Sequence, residues 1–73
     1  MPIMPVSMAK TGESVTIIRI TGNDKVRAHL HELGFVENDK ITVISKVGEN
    51  VIVKVKESRV ALDMSMARRI LVQ

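Results

Sequence analysis

Two histidines, His29 and His31, are the side chains best suited to hold a metal or move a proton, and both lie beside Glu32 in the stretch Lys25 to Leu33. Apolar residues in that stretch recur as Val26, Leu30 and Leu33, the i, i+4, i+7 spacing of one helical face. Residues two apart on a helix point to different sides, so His29 and His31 cannot grip one ion together. His29 with Glu32, or Asp24 with His31, share a side, but two ligands do not complete a site. The simplest reading is a pair of solvent-facing histidines and no tight metal site.

Other chemistry fares no better. The chain has no Cys, which excludes disulfides, thiolate metal sites and cysteine nucleophiles. Acid–base catalysis needs groups that converge in a pocket, yet Glu13, Asp24, Glu37, Asp39, Glu49 and Asp63 are spread through turns and element ends. Gly12, Gly22, Gly34 and Gly48 stand singly, so there is no glycine-rich phosphate loop. With 73 residues, a chain rarely builds both a core and a substrate pocket. Neither an enzyme nor a bound cofactor is expected. Met64 and Met66, beside Leu62 and Ile70, offer soft ligands or an adaptable surface, but that setting reads first as core filling. Lys40, Lys46, Lys54 and Lys56 share one side of a predicted hairpin, where they could meet phosphates or simply solvate the sheet and guard its edge. Phe35 is the sole aromatic residue, so stacking on bases and gripping proline-rich peptides both lack their usual platform.

The elements that would position these residues are mostly strands. Val, Ile and Thr together supply 23 of the 73 residues, and β-branched side chains are stiff and pack well on a pleated surface. Met1 to Lys10 is broken by Pro2 and Pro5, so it should be extended and able to add an edge strand. Ser14 to Ile20 reads as a strand in which Ile17-Ile18 blurs strict alternation, as burial on both faces would. Asn23 or Asp24 caps the helix that follows. Gly34 then ends it, placing Leu30 and Phe35 at the two positions whose contact closes a Schellman motif. A hairpin spans Asp39 to Glu57. A two-residue loop, Gly48-Glu49, would set Val43 opposite Lys54 and mix the faces, whereas a three-residue loop with Asn50 left-handed sets Val43 opposite Val55 and is preferred. Ile44 and Ile52 then fall on the lysine side and would need cover. Arg59 to Leu62 is a further short strand, Asp63 opens a single helical turn through Arg68, and Ile70 to Val72 closes the chain as a strand.

That order of elements, with its particular residues, resembles a known family. Ile20-Thr21-Gly22 ends a strand, and Leu30 to Phe35 reads Leu-x-x-Leu-Gly-Phe. Ile41-Thr42-Val43 follows a polar turn, and Arg59 to Leu62 (Arg-Val-Ala-Leu) precedes Ala67-x-x-Ile-x-Val at the end. From Ser7 to Val72 this is similar to the ferrous iron transport protein A (FeoA) family. The resemblance implies a mainly β fold: a small SH3-like five-stranded barrel over residues 1–73, with one inserted α-helix and a short C-terminal helical turn. Two departures occur. Glu37-Asn38-Asp39 stands where the family usually has Pro-Gly, and Asn38 tolerates the positive φ that turn needs. Asp63 stands where many members carry a basic residue. The same module also occurs behind the DNA-binding region of metal-dependent repressors, and the absence of a helix-turn-helix before it here favours the stand-alone form.

What the resemblance implies for function is an accessory adaptor of bacterial ferrous iron transport. Its expected partner is FeoB, a membrane Fe(II) permease with a cytosolic GTPase domain, and its expected place is the cytoplasm, at the inner membrane through that partner. No run reaches the roughly 18–20 apolar residues of a spanning helix, so no insertion of its own is expected. The candidate partner-binding residues are Arg27, Leu30, His31, Leu33 and Phe35. Leu30, Leu33 and Phe35 either latch the helix onto the barrel, or one of them, Leu30 foremost, stays partly exposed with Arg27 and His31 as a polar rim. Self-association stays open. The alternative is a small RNA- or ribosome-associated barrel, favoured by the hairpin lysines, the net charge of +3 and an isoelectric point near 9.7. The scattered charges nevertheless make nucleic acid the less expected partner.

Overall fold

The β-branched runs do form strands. A computed structural model describes residues 2–73; the expectation for Met1 lies outside the described residues. In chain order the elements are β1 (Met4–Pro5), a 3-10 turn (Val6–Met8), β2 (Ser14–Ile20), α1 (Asp24–Glu32), β3 (Lys40–Val47), β4 (Asn50–Val55), β5 (Ser58–Asp63), α2 (Met64–Ala67) and β6 (Ile70–Val72). All strand pairs are antiparallel, in the order β1-β6-β2-β3-β4-β5. There are thus six strands where five were expected; the sixth, β1, is the edge strand that the N-terminal stretch was expected to be able to add, and it pairs Met4 with Val72. The N-terminal stretch is not wholly extended: its 3-10 turn brings Val6 and Ala9 into the core.

Two bulges let these strands curve. In β2 the inward positions are Val15 and Ile17, then Ile20, because the pairing with β6 slips between Ile17 and Arg19. An extra residue in one strand bends it and changes which side chains face the core. The blurred Ile17-Ile18 pattern has this origin: Ile17 is buried and Ile18 only half-buried. Around the bend β2 is bonded on both sides. Ile17 donates to the Asp39 carbonyl at 2.9 Å, and Thr16 donates to the Gln73 carbonyl at 2.9 Å.

The second bulge corrects the expected hairpin. Val47 pairs with Asn50 across a two-residue turn, and Gly48, not Asn50, has the positive φ, +59°. Glycine at the first central position with φ > 0 is the type II′ pattern, whose twist suits flanking strands. The face mismatch this loop would cause is removed at Ile44, where the register shifts so that Val43 meets Val53. An added residue inside β3 does what a longer loop was expected to do.

Helix α1 is built as its sequence signals require. The Asn23 side chain accepts from the Val26 N–H at 2.9 Å, satisfying one otherwise unpaired donor of the first turn. At the other end the Phe35 N–H donates to the Leu30 carbonyl and the Gly34 N–H to the His31 carbonyl, both at 3.0 Å. That pair of bonds is the Schellman motif, with Gly34 at φ +106°. Leu30 and Phe35 are both fully buried and join an entirely apolar core.

Two stability outcomes follow. Leu30→Gln leaves a cavity and an unpaired amide, and should cost about 2–5 kcal/mol in urea unfolding. Gly34→Ala keeps ordinary contact, 3.5 Å from its added Cβ to Val55, but forces an L-residue to φ +106° and should cost about 1–3 kcal/mol through the backbone alone. Wild-type stability in either variant would show that the helix end is not the latch described.

Candidate functional site

Helix α1 buries only Leu30 completely, with Val26 and Leu33 half-buried, so most of its surface faces solvent. The two histidines diverge as their spacing requires. His29 lines a cleft of about 220 Å³ between α1 and α2, shared with Lys25, Val26, Ser65, Met66 and Arg69. His31 lies on the other flank, in a shallow depression with Asp24, Arg27, Ala28 and Glu37.

On the His31 flank the charges answer one another. Arg27 pairs with Asp24 one turn earlier, and His31 Nε2 lies 3.2 Å from Glu37 Oε1. A hydrogen bond to the Glu37 carboxylate from its own backbone N–H, followed by the one from His31, holds the Glu37 carboxyl below its usual range. Lys56 Nζ donates to Asp39 Oδ2 at 3.0 Å, tying the segment after α1 to the β4–β5 turn. Within that segment Asn38 takes φ +75°, as expected of a residue replacing the Pro-Gly turn. All these pairs are solvent-exposed, which limits each to a modest energy.

Burial sorts the sequence candidates. Arg27 and His31 are exposed and Leu33 is half-buried, so these can be touched. Leu30 and Phe35 cannot: each has 0% exposure, which corrects the reading of Leu30 as a partly exposed anchor. The reason is the helix stop itself, which turns Phe35 back beneath Leu30. On the hairpin, Ile44 and Ile52 are half-buried rather than exposed. Lys46 donates to the Ser7 carbonyl at 3.3 Å and Lys56 is paired, so two of the hairpin lysines serve local structure. Met64 and Met66 are both half-buried, with Met66 packed against the core and its edge in the cleft.

The cleft was not legible in the sequence, because α1 and α2 lie about forty residues apart. Its walls are set by contacts around Gly22. The Thr21 N–H and hydroxyl both donate to the Arg69 carbonyl, at 2.8 and 3.1 Å. A Cβ on Gly22 would sit 3.2 Å from Val26 Cγ1, so glycine lets the strand end close against the helix. Among the described residues no three His, Asp or Glu side chains converge as a metal site would require. What α1 offers is a helix anchored by Leu30 with two accessible flanks.

Comparison with known proteins agrees with this architecture. A crystal structure of an iron uptake regulatory protein, FeoA, matches with a TM-score of 0.91 at 25% identity, covering 100% of this chain and 97% of that one. FeoA from Stenotrophomonas maltophilia, crystallised with zinc and described as a prokaryotic SH3 domain protein suggested to activate ferrous iron transport, is 30% identical. It covers 96% of this chain and 89% of its own, with a TM-score of 0.84. A manganese-dependent transcriptional repressor shares the fold at 18% identity and a TM-score of 0.89, over 97% of this chain but 41% of the repressor. No curated protein matches. The mainly β, SH3-like fold expected from the sequence is therefore the fold observed, and no helix among the described residues is long and apolar enough to cross a membrane. Since the FeoA domain model also matches residues 4–73, nearly the whole length, the chain belongs to the FeoA domain family.

Proposed function

We propose that this chain, as one domain over residues 1–73, is a cytosolic accessory protein of ferrous iron transport. It docks through α1 on FeoB, a membrane Fe(II) permease with a cytosolic GTPase domain, and thereby regulates it. The observation that supports this most is family membership over residues 4–73, joined to a helix anchored by the buried Leu30 with the rest of its surface accessible. Arg27, His31 and Leu33 supply the contact on one flank, while Leu30 and Phe35 act indirectly by fixing the helix angle. Rigid presentation favours binding because little ordering remains to be done on association.

Retention of the full-length permease on the immobilised protein tests this reading. Wild type should retain it, and Arg27→Glu should weaken retention about tenfold or more without lowering the melting temperature, since like charge at an interface rim is costly. No retention of the permease by wild type would overturn the proposal. If the protein instead binds RNA with submicromolar affinity that falls steeply with salt, as release of counterions from phosphates requires, the RNA-associated alternative prevails.

A calorimetric titration checks the metal reading. Neither Fe²⁺ nor Zn²⁺ should bind stoichiometrically at submicromolar concentration, because His29 and His31 occupy opposite flanks. Tight binding that is lost in His29→Ala would show this to be wrong.

A further inference from the structure

The two flanks of α1 differ in how their charges are satisfied. Arg27 and His31 each have an acidic neighbour at their own flank. Across the helix, Lys25 and Arg69 border the α1–α2 cleft with His29, and no carboxylate lines it. Among the described residues neither Lys25 nor Arg69 takes part in an ion pair. The Arg69 backbone is nevertheless held, since its carbonyl accepts both bonds from Thr21. Between the cations the floor is apolar, made by the half-buried side chains of Val26 and Met66.

From this pairing of unmatched cations with an apolar floor, we infer that the cleft receives an acidic peptide segment of a partner protein, one apolar side chain inserting between Val26 and Met66. The segment's carboxylates meet Lys25 and Arg69 at the rim. The cleft volume of about 220 Å³ lies below the roughly 300–1,000 Å³ of pockets that engulf small-molecule ligands, but it accommodates a single aliphatic side chain. Methionine suits such a floor because its flexible thioether adapts to the shape of the inserted group. A phosphate-bearing ligand would use the cations yet leave the apolar floor unused, and no Phe, Tyr or Trp lines the cleft to give a base a broad stacking platform. The inference deepens the adaptor reading and rests on it only for which protein supplies the segment.

The probe is a short fluorescent peptide that repeats Glu-Glu-Leu, followed by anisotropy at low and high salt. It should bind, and Lys25→Glu combined with Arg69→Glu should weaken it about tenfold or more by placing like charges at the rim. Lys40→Glu combined with Lys54→Glu makes the same change in net charge on the hairpin and should leave binding unaltered. A peptide with Ser in place of Leu should bind distinctly more weakly. Equal loss from both double variants, or equal binding of the Ser peptide, would overturn the inference, the first pointing to nonspecific attraction and the second to a purely anionic ligand such as RNA or a lipid surface. Melting temperatures of both double variants guard against unfolding. Should wild type retain the permease while failing to bind the peptide, the cleft assignment falls and the adaptor reading survives. Should the peptide bind as described while the permease is not retained, the adaptor reading falls and the cleft assignment survives.

Discussion

Where α1 ends, the chain must reverse onto the sheet within two residues, and the burial of Leu30 and Phe35 in one core on either side of Gly34 makes that reversal stable. The two backbone bonds of the helix stop direct Phe35 under the helix, and burial of both side chains excludes water from the joint. In a domain this small no alternative core exists to support the helix. The largest fully buried side chain among the described residues, Phe35, therefore lies where the chain leaves α1 for the sheet. Every surface that α1 presents takes its position from this joint.

The strands accommodate the inserted helix by bending at defined points. β2 pairs with β3 through its first residues and with β6 through its last, and the slip beyond Ile17 marks the change. β3 carries the second slip, at Ile44, so that β4 can keep Val51, Val53 and Val55 all facing the core. Bulges of this kind add twist and closure without breaking the apolar alternation of the partner strand. Ile44, the residue at this slip, and Ile52 across from it are both half-buried.

Electrostatics divides α1 more sharply than hydrophobicity does. One flank is balanced internally through Asp24 and Glu37, and the other leaves its cations without carboxylates beside an apolar floor. Balanced, exposed pairs contribute little to stability and can exchange partners at small cost. Unbalanced charge around a concave apolar surface draws an opposite charge toward it and orients what arrives.

Features closed within a few residues were readable from the sequence alone. Asn23 as helix cap, Gly34 as helix stop with Leu30 and Phe35 as its latch, Asp63 as the cap of α2 and Asn38 at positive φ all depend on bonds between near neighbours, and the structure has each of them. So does the divergence of His29 and His31, which follows from the helical pitch. Features that join distant segments were not readable. The compensating slip at Ile44 depends on how β3 meets its neighbours, and a loop of either length satisfied the local pattern. Burial of Leu30 was left open by the sequence, because an apolar helical face looks the same whether it meets the sheet or a partner. The cleft formed by Lys25, Val26, Met66 and Arg69 was invisible, because only the closure of β6 against β2 carries α2 up to α1. Local bonds are written in residue type and spacing, whereas the approach of two elements forty residues apart is decided by the packing of everything between them.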